Sequence, residues 1–267
     1  MPKASLPQKH TRDFMDLIGV ADIAPCTCPF DPGYDPVTLE SHLEQSAHLI
    51  SILKISMACW LIADEKATRR KVDIARRLNV PTCTGGGMYE VASYFNRVEE
   101  YLDLCADIGF TRIEGGEGFT ELKHTPRQLI SMAEERGIEI QFEVGEKHGG
   151  AFTPEILDEI IDQSKEWLDA GAKQIVVEAR ESASDVGLFN DSGEFNSEGA
   201  DRFVKEFGFD AVLFEAPNKQ SQFAMLNHFG PLVHLCNVRI EELLRVEIYR
   251  RGLHSDAFQH DNLRPKG

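Results

Sequence analysis

The chain carries at residues 174–182 the sequence Gln174-Ile175-Val176-Val177-Glu178-Ala179-Arg180-Glu181-Ser182. A short β-branched run ends here in acidic and basic side chains, and a glycine-containing loop, Val186-Gly187-Leu188-Phe189, follows soon afterwards. A parallel strand that is buried on both faces has this composition, and its charged end lies where water and a ligand can enter. The stretch therefore predicts a central strand whose carboxyl end contributes to a functional site.

The same alternation of strand and helix runs through the whole chain. Eight short apolar runs predict strands at 18–24, 51–56, 80–84, 110–114, 138–144, 174–182, 210–215 and 231–236. Amphipathic segments predict helices from near 37 and then over 64–78, 89–108, 125–136, 153–171, 198–207, 221–229 and 239–250. Short connections between such units predict a single-domain α/β protein, a (β/α)8 TIM barrel over residues 1–267, with a short polar N-terminal arm and a C-terminal tail from about 252.

The main alternative is an open, doubly wound sheet. No G-x-G-x-x-G motif follows an early strand, and nothing in the order of the runs marks a switch point halfway. The sequence therefore favours the barrel.

Composition excludes several classes of function. A formal net charge of −16 over 267 residues disfavours binding to nucleic acid and to anionic membrane surfaces. No apolar run approaches the ~20 residues of a membrane-spanning helix, and the N-terminus lacks a signal-peptide core. Six cysteines in a chain of this length do not indicate a disulfide framework. These features predict a soluble, reduced, cytoplasmic protein.

Four consecutive predicted strands each end in an apolar residue followed by glutamate; these are Glu114, Glu143, Glu178 and Glu215. Strand carboxyl ends form the active-site face of a barrel, so the four side chains are expected to converge. Carboxylates that lie so close together raise one another's pKa unless cations lie among them. The pattern therefore predicts Mg²⁺ bound by these four glutamates, with Lys54, Lys147 and Arg180 as further cations. The alternative, glutamates that cap loops or pair with basic residues at the rim, remains open.

Basic and polar residues near the predicted strand ends are the candidates for substrate contact. Lys54 interrupts an apolar run, where a lysine is costly unless it points into the mouth, although a structural lysine can also extend its amine to the surface. Lys147 lies in a glycine-bounded loop and Arg180 near Glu181, so a solvated lysine and a salt bridge are the respective alternatives. Ser221, Asn237 and Arg239 fall in the last two loops, the usual phosphate position in barrels.

The cysteines allow a further alternative. Cys26, Cys28, Cys59 and Cys83 follow the first three predicted strands and could meet at the same mouth as metal-binding thiolates. Their spacing lacks the usual pattern of a zinc site, which favours buried or loop thiols.

Several motifs resemble the phosphosulfolactate synthase family: Val177-Glu178-Ala179-Arg180-Glu181-Ser182 with Gly187-Leu188-Phe189, Phe214-Glu215-Ala216-Pro217-Asn218-Lys219, and 250–258, which reads RRGLHSDAF. The resemblance runs from the second strand nearly to the end of the chain. It implies a (β/α)8 barrel, a homo-oligomer and a carbon–sulfur lyase of coenzyme M biosynthesis. Such an enzyme adds sulfite to phosphoenolpyruvate with Mg²⁺ and forms (2R)-phospho-3-sulfolactate.

The resemblance also implies roles for individual residues. The family's Glu-Val-Gly-Lys-Lys segment falls on Glu143-Val144-Gly145-Glu146-Lys147, so Lys147 is the expected proton donor and the first lysine is replaced by Glu146. Lys54 and Arg180 are expected to hold the charge of the substrate, with Mg²⁺ stabilising its carboxylate in an enolase-like manner.

Loops in the N-terminal half depart from the family pattern. Residues 56–60, Ser-Met-Ala-Cys-Trp, replace a Gly-Trp-Gly-Thr-Ser-like run, and residues 115–118, Gly-Gly-Glu-Gly, replace Ser-Asp-Gly-Ser. Two other functions therefore stay open beside the synthase: a related TIM-barrel lyase that uses another nucleophile or enol acid, and a non-catalytic, stress-associated relative.

Overall fold

Eight parallel strands close into a barrel in chain order, and the last strand pairs with the first. The computed structural model describes residues 10–55, 57–146 and 149–267. The strands are β1 (Thr27–Asp31), β2 (Leu53–Ile55), β3 (Thr82–Thr84), β4 (Arg112–Gly116), β5 (Glu139–Val144), β6 (Gln174–Val177), β7 (Val212–Glu215) and β8 (Leu235–Arg239). The predicted TIM barrel is confirmed, and the closed ring excludes the open sheet.

Helices surround the barrel and connect the strands. They are α1 (Thr11–Leu17), α2 (Pro36–Ser46), α3 (Cys59–Ile62), α4 (Glu65–Arg77), α5 (Gly87–Tyr94), α6 (Val98–Ile108), α7 (Pro126–Glu134), α8 (Pro154–Ala170), α9 (Ser197–Phe207), α10 (Lys219–Phe229) and α11 (Leu243–Arg250). Local signals explain several starts: the side chains of Asp64, Thr125 and Thr153 accept backbone N–H groups of the first turn, and proline follows each threonine.

The core has two layers because successive strand residues point to opposite faces. Inward-facing side chains fill the barrel with one compact cluster: Cys28, Ile52, Cys83, Val176, Leu213 and Cys236. Outward-facing side chains pack on the helices, as where Phe142 of β5 stacks on Trp167 of α8 with ring centroids 3.8 Å apart. The described interior of the barrel therefore contains a packed apolar layer below the strand ends.

The first strand lies later than predicted. Residues 18–24 are exposed or half-buried and form no strand, whereas β1 lies between the first predicted strand and the first predicted helix. Pro29 within β1 explains the error, since proline donates no hydrogen bond and is tolerated in strands mainly at edges and bulges. The ladder between β1 and β8 indeed shifts register between Cys28 and Pro29.

Other boundaries also differ from prediction. The single helix predicted over 89–108 is two helices, α5 and α6, because the chain turns between them with Asn96 in the left-handed region at φ 54°. The last strand is β8 rather than 231–236. The C-terminal tail packs on its own barrel through buried Ala257 and Leu263. In the described ranges no helix has the length and apolar character needed to cross a membrane.

Candidate active site

A cavity of about 920 Å³ opens at the carboxyl ends of the strands. It brings together eight of the residues predicted from sequence: Lys54, Glu114, Glu143, Glu178, Arg180, Glu215, Asn237 and Arg239. The predicted convergence of the four strand-end glutamates is therefore what the fold produces.

Strand alternation explains why the glutamates point into this cavity. Val176 and Leu213 face the barrel interior, and the residues two positions later, Glu178 and Glu215, share that face. Glu143 pairs with the inward-facing Val176 along the β5–β6 ladder, and Glu114 also lines the cavity from β4. All four are at most 4% exposed, so the barrel buries four carboxyl groups directly above its apolar interior.

Glu114 is fully engaged by protein donors. One carboxylate oxygen, Oε1, accepts from Lys54 Nζ at 2.8 Å and from the Gly86 backbone N–H at 3.0 Å. The other, Oε2, accepts from Gln141 Nε2 at 2.8 Å. This carboxylate therefore serves to hold Lys54 at the floor of the cavity.

Glu215 is held from two other directions. Its Oε2 accepts from the backbone N–H groups of Ala179 and Arg180 at 2.9 and 3.1 Å, and its Oε1 accepts from Asn237 Nδ2. The Arg180 N–H also donates to Glu178 Oε1 at 2.6 Å. Arg180 adopts a left-handed φ of 53°, and its N–H is shared between the two carboxylates.

The electrostatics of the cavity follow from burial and from the separation of these charges. Burial, together with the neighbouring Glu178 and Glu143 carboxylates, raises the pKa of Glu215 well above its usual range. Burial alone would lower the pKa of Lys54, but Glu114 and Glu215 beside it raise that pKa well above 10.5. Lys54 is therefore a cation at neutral pH. For Glu215, the attraction of Lys54 does not outweigh burial and the repulsion from Glu178 and Glu143.

The carboxylates suit a hard divalent cation in chemical type. Carboxylate oxygens are the donors that Mg²⁺ takes in proteins, and a cation among Glu143, Glu178 and Glu215 would relieve the repulsion that raises the pKa of Glu215. As the described side chains stand, no three His, Cys, Asp or Glu residues are arranged to hold a metal ion. The Mg²⁺ site stays a prediction, for which these three glutamates are better candidates than Glu114.

The three remaining predicted contacts, Arg239, Ser221 and Lys147, have different outcomes. Arg239 lies at the cavity edge over the ring of Phe30, with its guanidinium carbon 5.7 Å from the ring centroid and its Nε 2.5 Å from Glu241 Oε1. Ser221 is not among the residues that line the cavity; its hydroxyl caps α10 by accepting from the Asn218 backbone N–H at 3.3 Å. Lys147 falls outside the described residues.

The four cysteines that could have met at the mouth are not among the residues that line the cavity. Cys28 and Cys83 face the barrel interior, where burial raises the pKa of Cys28 to about 12. Cys26 lies at the opposite end of the barrel near the Pro231 carbonyl, and Cys59 is in α3. Protonated thiols in these positions are core side chains, so the thiolate-site alternative is wrong for Cys28 and Cys83.

Sequence reasoning missed two elements of the site. The first is Gln141, which donates to Glu114. The sequence contained a signal for it, because it is a polar residue inside an apolar run and lies two positions before Glu143, on the same strand face. The second element is an apolar wall contributed by Phe30, Met57, Met88 and Val91. Three of these come from loops and helix starts in the N-terminal half, where periodicity carries no information about a cavity.

A second cavity of about 640 Å³ adjoins the first at Glu143. Its described lining is acidic and includes Glu117, Glu121, Glu143, Glu146 and Glu159. Four further carboxylates disfavour an anionic ligand in this space. The cavity that contains Lys54, Arg180 and Arg239 is the better site for one.

Solved structures share the fold. A 3-dehydroquinate dehydratase from Geobacillus kaustophilus superimposes with a TM-score of 0.54 and 10% identity, over 85% of this chain and 91% of that one. The YdjI aldolase from Escherichia coli gives 0.52 and 12%, over 97% and 98%. At these identities the likeness shows a common barrel alone.

Sequence comparison is more specific. The phosphosulfolactate synthase of Methanocaldococcus jannaschii is 29% identical over 87% of this chain and 93% of that relative. The phosphosulfolactate synthase of Methanothermobacter thermautotrophicus is 28% identical over 89% and 92%. The family model described as (2R)-phospho-3-sulfolactate synthase (ComA) matches residues 24–256, which include all the described cavity residues. The chain belongs to the phosphosulfolactate synthase family.

Proposed function

We propose that this protein catalyses the Mg²⁺-dependent addition of sulfite to phosphoenolpyruvate, giving (2R)-phospho-3-sulfolactate. The observation that carries the proposal is the cavity itself: a buried lysine, two arginines and four strand-end glutamates line it at the carboxyl ends of the strands, where barrel active sites lie. Membership of the family and the names of its relatives support the choice of reaction.

The basic residues suit a pair of anionic substrates. Lys54 is fixed by Glu114 and Asn237 at the floor, and Arg180 and Arg239 line the cavity above it. We assign the substrate carboxylate to the neighbourhood of Lys54, and the phosphate to Arg239 and Arg180. Ser221 is replaced in this role because its hydroxyl already caps a helix.

The reaction forms one C–S bond and one C–H bond and loses no atoms. The sulfur lone pair of sulfite attacks the methylene carbon of phosphoenolpyruvate, and the electrons of the carbon–carbon double bond move toward the carboxylate. A proton then adds to the adjacent carbon. Mg²⁺ held by Glu143, Glu178 and Glu215 would stabilise the charge that develops on the carboxylate. Lys54 contributes a fixed positive charge to the same end of the substrate.

Lys147 is our proposed donor of that proton, on the match of residues 143–147 to the family segment alone. The ammonium of a lysine whose pKa is lowered by nearby cations or by burial can act as a general acid near neutral pH. We further propose that the enzyme is a cytoplasmic homo-oligomer. Sedimentation of the purified protein would test the oligomeric state.

The apolar wall favours a second candidate. Met57, in a loop that departs from the family pattern, lines the cavity together with Met88 and Val91 of α5. An enol acid with an apolar substituent, or an organic thiol in place of sulfite, would gain contact there. A non-catalytic role is disfavoured, since burying Lys54 among four glutamates is costly without a ligand to bind.

The test is incubation of the purified protein with phosphoenolpyruvate, sulfite and Mg²⁺, followed by mass spectrometry of the products. An adduct with the summed mass of phosphoenolpyruvate and hydrogen sulfite is expected. Parallel reactions replace sulfite with small thiols, or phosphoenolpyruvate with 3-alkyl analogues. Faster turnover in those reactions would favour the second candidate, and no turnover by folded, Mg²⁺-loaded protein in any of them would refute both.

A further inference from the structure

Asn237 occupies an irregular point in β8. Along the β1–β8 ladder Cys28 pairs with Cys236 and Pro29 pairs with Val238, so Asn237 has no partner in β1. Its φ of 52° lies in the left-handed region, which asparagine tolerates better than most side chains. The residue is thus the extra residue of a β-bulge, opposite a proline that donates no hydrogen bond to the ladder.

The bulge changes the direction in which the end of β8 points. Cys236 belongs to the cluster inside the barrel and Val238 to the apolar layer outside it. In a regular strand these two residues would share a face. The inserted residue reverses the alternation, and as a result Asn237 and Arg239 both line the cavity.

The redirected amide joins the two charged groups of the site. Asn237 Oδ1 accepts from Lys54 Nζ at 2.8 Å, while Nδ2 donates to Glu215 Oε1. Lys54 Nζ lies 4.0 Å from Glu215 Oε1. This distance is too long for a direct hydrogen bond, and the Asn237 amide bonds to both side chains instead. An amide is suited to this place because it offers an acceptor to an ammonium and a donor to a carboxylate.

We propose that Asn237 is a positioning residue, which the β8 bulge directs into the cavity to fix Lys54 and Glu215 relative to each other. It acts through these two neighbours and contributes no contact of its own to the reacting atoms. The part of the proposal that concerns turnover rests on the proposed function; the part that concerns geometry does not.

The experiment compares Asn237→Gly with a matched control. Glycine keeps the left-handed backbone and removes both amide contacts. Asn79→Gly makes the same change at a left-handed asparagine (φ 58°) that is exposed and remote from the cavity. Asn237→Asp serves as a second variant, because it tolerates the backbone but offers no N–H to Glu215.

Two measurements are made on each variant. Hydrogen exchange of the backbone at Ala179 and Arg180, whose N–H groups are bonded to Glu215, is expected to speed up about tenfold in both Asn237 variants. The kcat for sulfite addition is expected to fall about 10- to 100-fold, with KM changed much less. The control is expected to match the wild type in both measurements.

Unchanged exchange at residues 179–180 in folded Asn237→Gly would overturn the proposal, as would an unchanged kcat. If Asn237→Gly does not fold, Asn237→Asp decides by the same criteria. If the wild type does not add sulfite to phosphoenolpyruvate, the proposed function fails and the exchange measurement alone decides the role of Asn237.

Discussion

Lys54 Nζ lies 2.8 Å from Glu114 Oε1, and the two side chains are 4% and 1% exposed. This buried ion pair stands at the floor of the cavity, between the apolar interior of the barrel and the strand-end carboxylates. Removing one partner from a buried pair leaves an uncompensated charge, so the pair links the stability of the barrel to the electrostatics of its site.

Lys54→Met is therefore expected to destabilise the protein by about 3–5 kcal/mol at pH 7. The pKa of Lys54 is raised on folding, so its stabilising contribution is fully present below 10.5 and is lost as the pH rises through the higher folded value. Urea denaturation of the wild type and of Lys54→Met should show a difference in the free energy of unfolding that persists from pH 6 to 9. Lys66→Met, at an exposed position of α4, is the control. A difference below about 1 kcal/mol would contradict the account, since that is what an exposed ion pair is worth.

Glu178→Gln is expected to weaken Mg²⁺ binding at least about tenfold, because the number of charged oxygen ligands sets the affinity of such sites. Isothermal calorimetry with Mg²⁺ alone measures this without turnover. Glu181→Gln removes one charge from the same cavity lining but not from a strand end. Equal losses in the two variants would show that net charge, rather than ligation by Glu178, governs binding.

Lys147→Ala is expected to retain binding of Mg²⁺ and phosphoenolpyruvate and to lose at least about 100-fold in product formation, the usual contribution of a general acid. Binding is measured by calorimetry and product formation by mass spectrometry. Lys123→Ala, at an exposed lysine that does not line the active-site cavity, is the control. Wild-type turnover by Lys147→Ala would remove the residue from the mechanism.

Gly187→Ala is expected to disrupt the tip of β6. Gly187 has φ 56°, and a Cβ there would collide with the Glu178 carbonyl oxygen. Gly208→Ala imposes a similar left-handed strain at φ 76° with no atom within 4 Å, which alone costs about 1–2 kcal/mol. Chemical denaturation should show a clearly larger loss for Gly187→Ala. Equal losses of stability in the two variants would mean that the loop around Gly187 moves to accommodate the Cβ without disturbing the end of β6.

The sequence predicted the barrel and its ring of glutamates because both depend on local signals. An apolar run that ends in glutamate marks a strand end, and parallel closure then brings the ends together, as for Glu178 and Glu215. Lys54 was also identified, because a charge inside an apolar run is costly unless it is used.

What sequence reasoning missed depends on contacts between distant segments. Pro29 made the segment that contains β1 look unsuited to a strand. The bulge opposite Pro29 places Asn237 where it bonds to Lys54. Ser221 was assigned to a phosphate site, whereas a capping contact with Asn218 uses its hydroxyl. Neither the register shift nor the competing cap is visible in hydrophobic periodicity.

Sulfite addition can be followed by ¹³C NMR, with 3-¹³C-phosphoenolpyruvate, sulfite and Mg²⁺ in D₂O. The labelled methylene is expected to become a saturated carbon bonded to sulfur, with one deuterium on the adjacent carbon, and EDTA is expected to abolish the change. A labelled methylene signal that stays unaltered with folded, Mg²⁺-loaded protein would contradict the proposed sulfite addition.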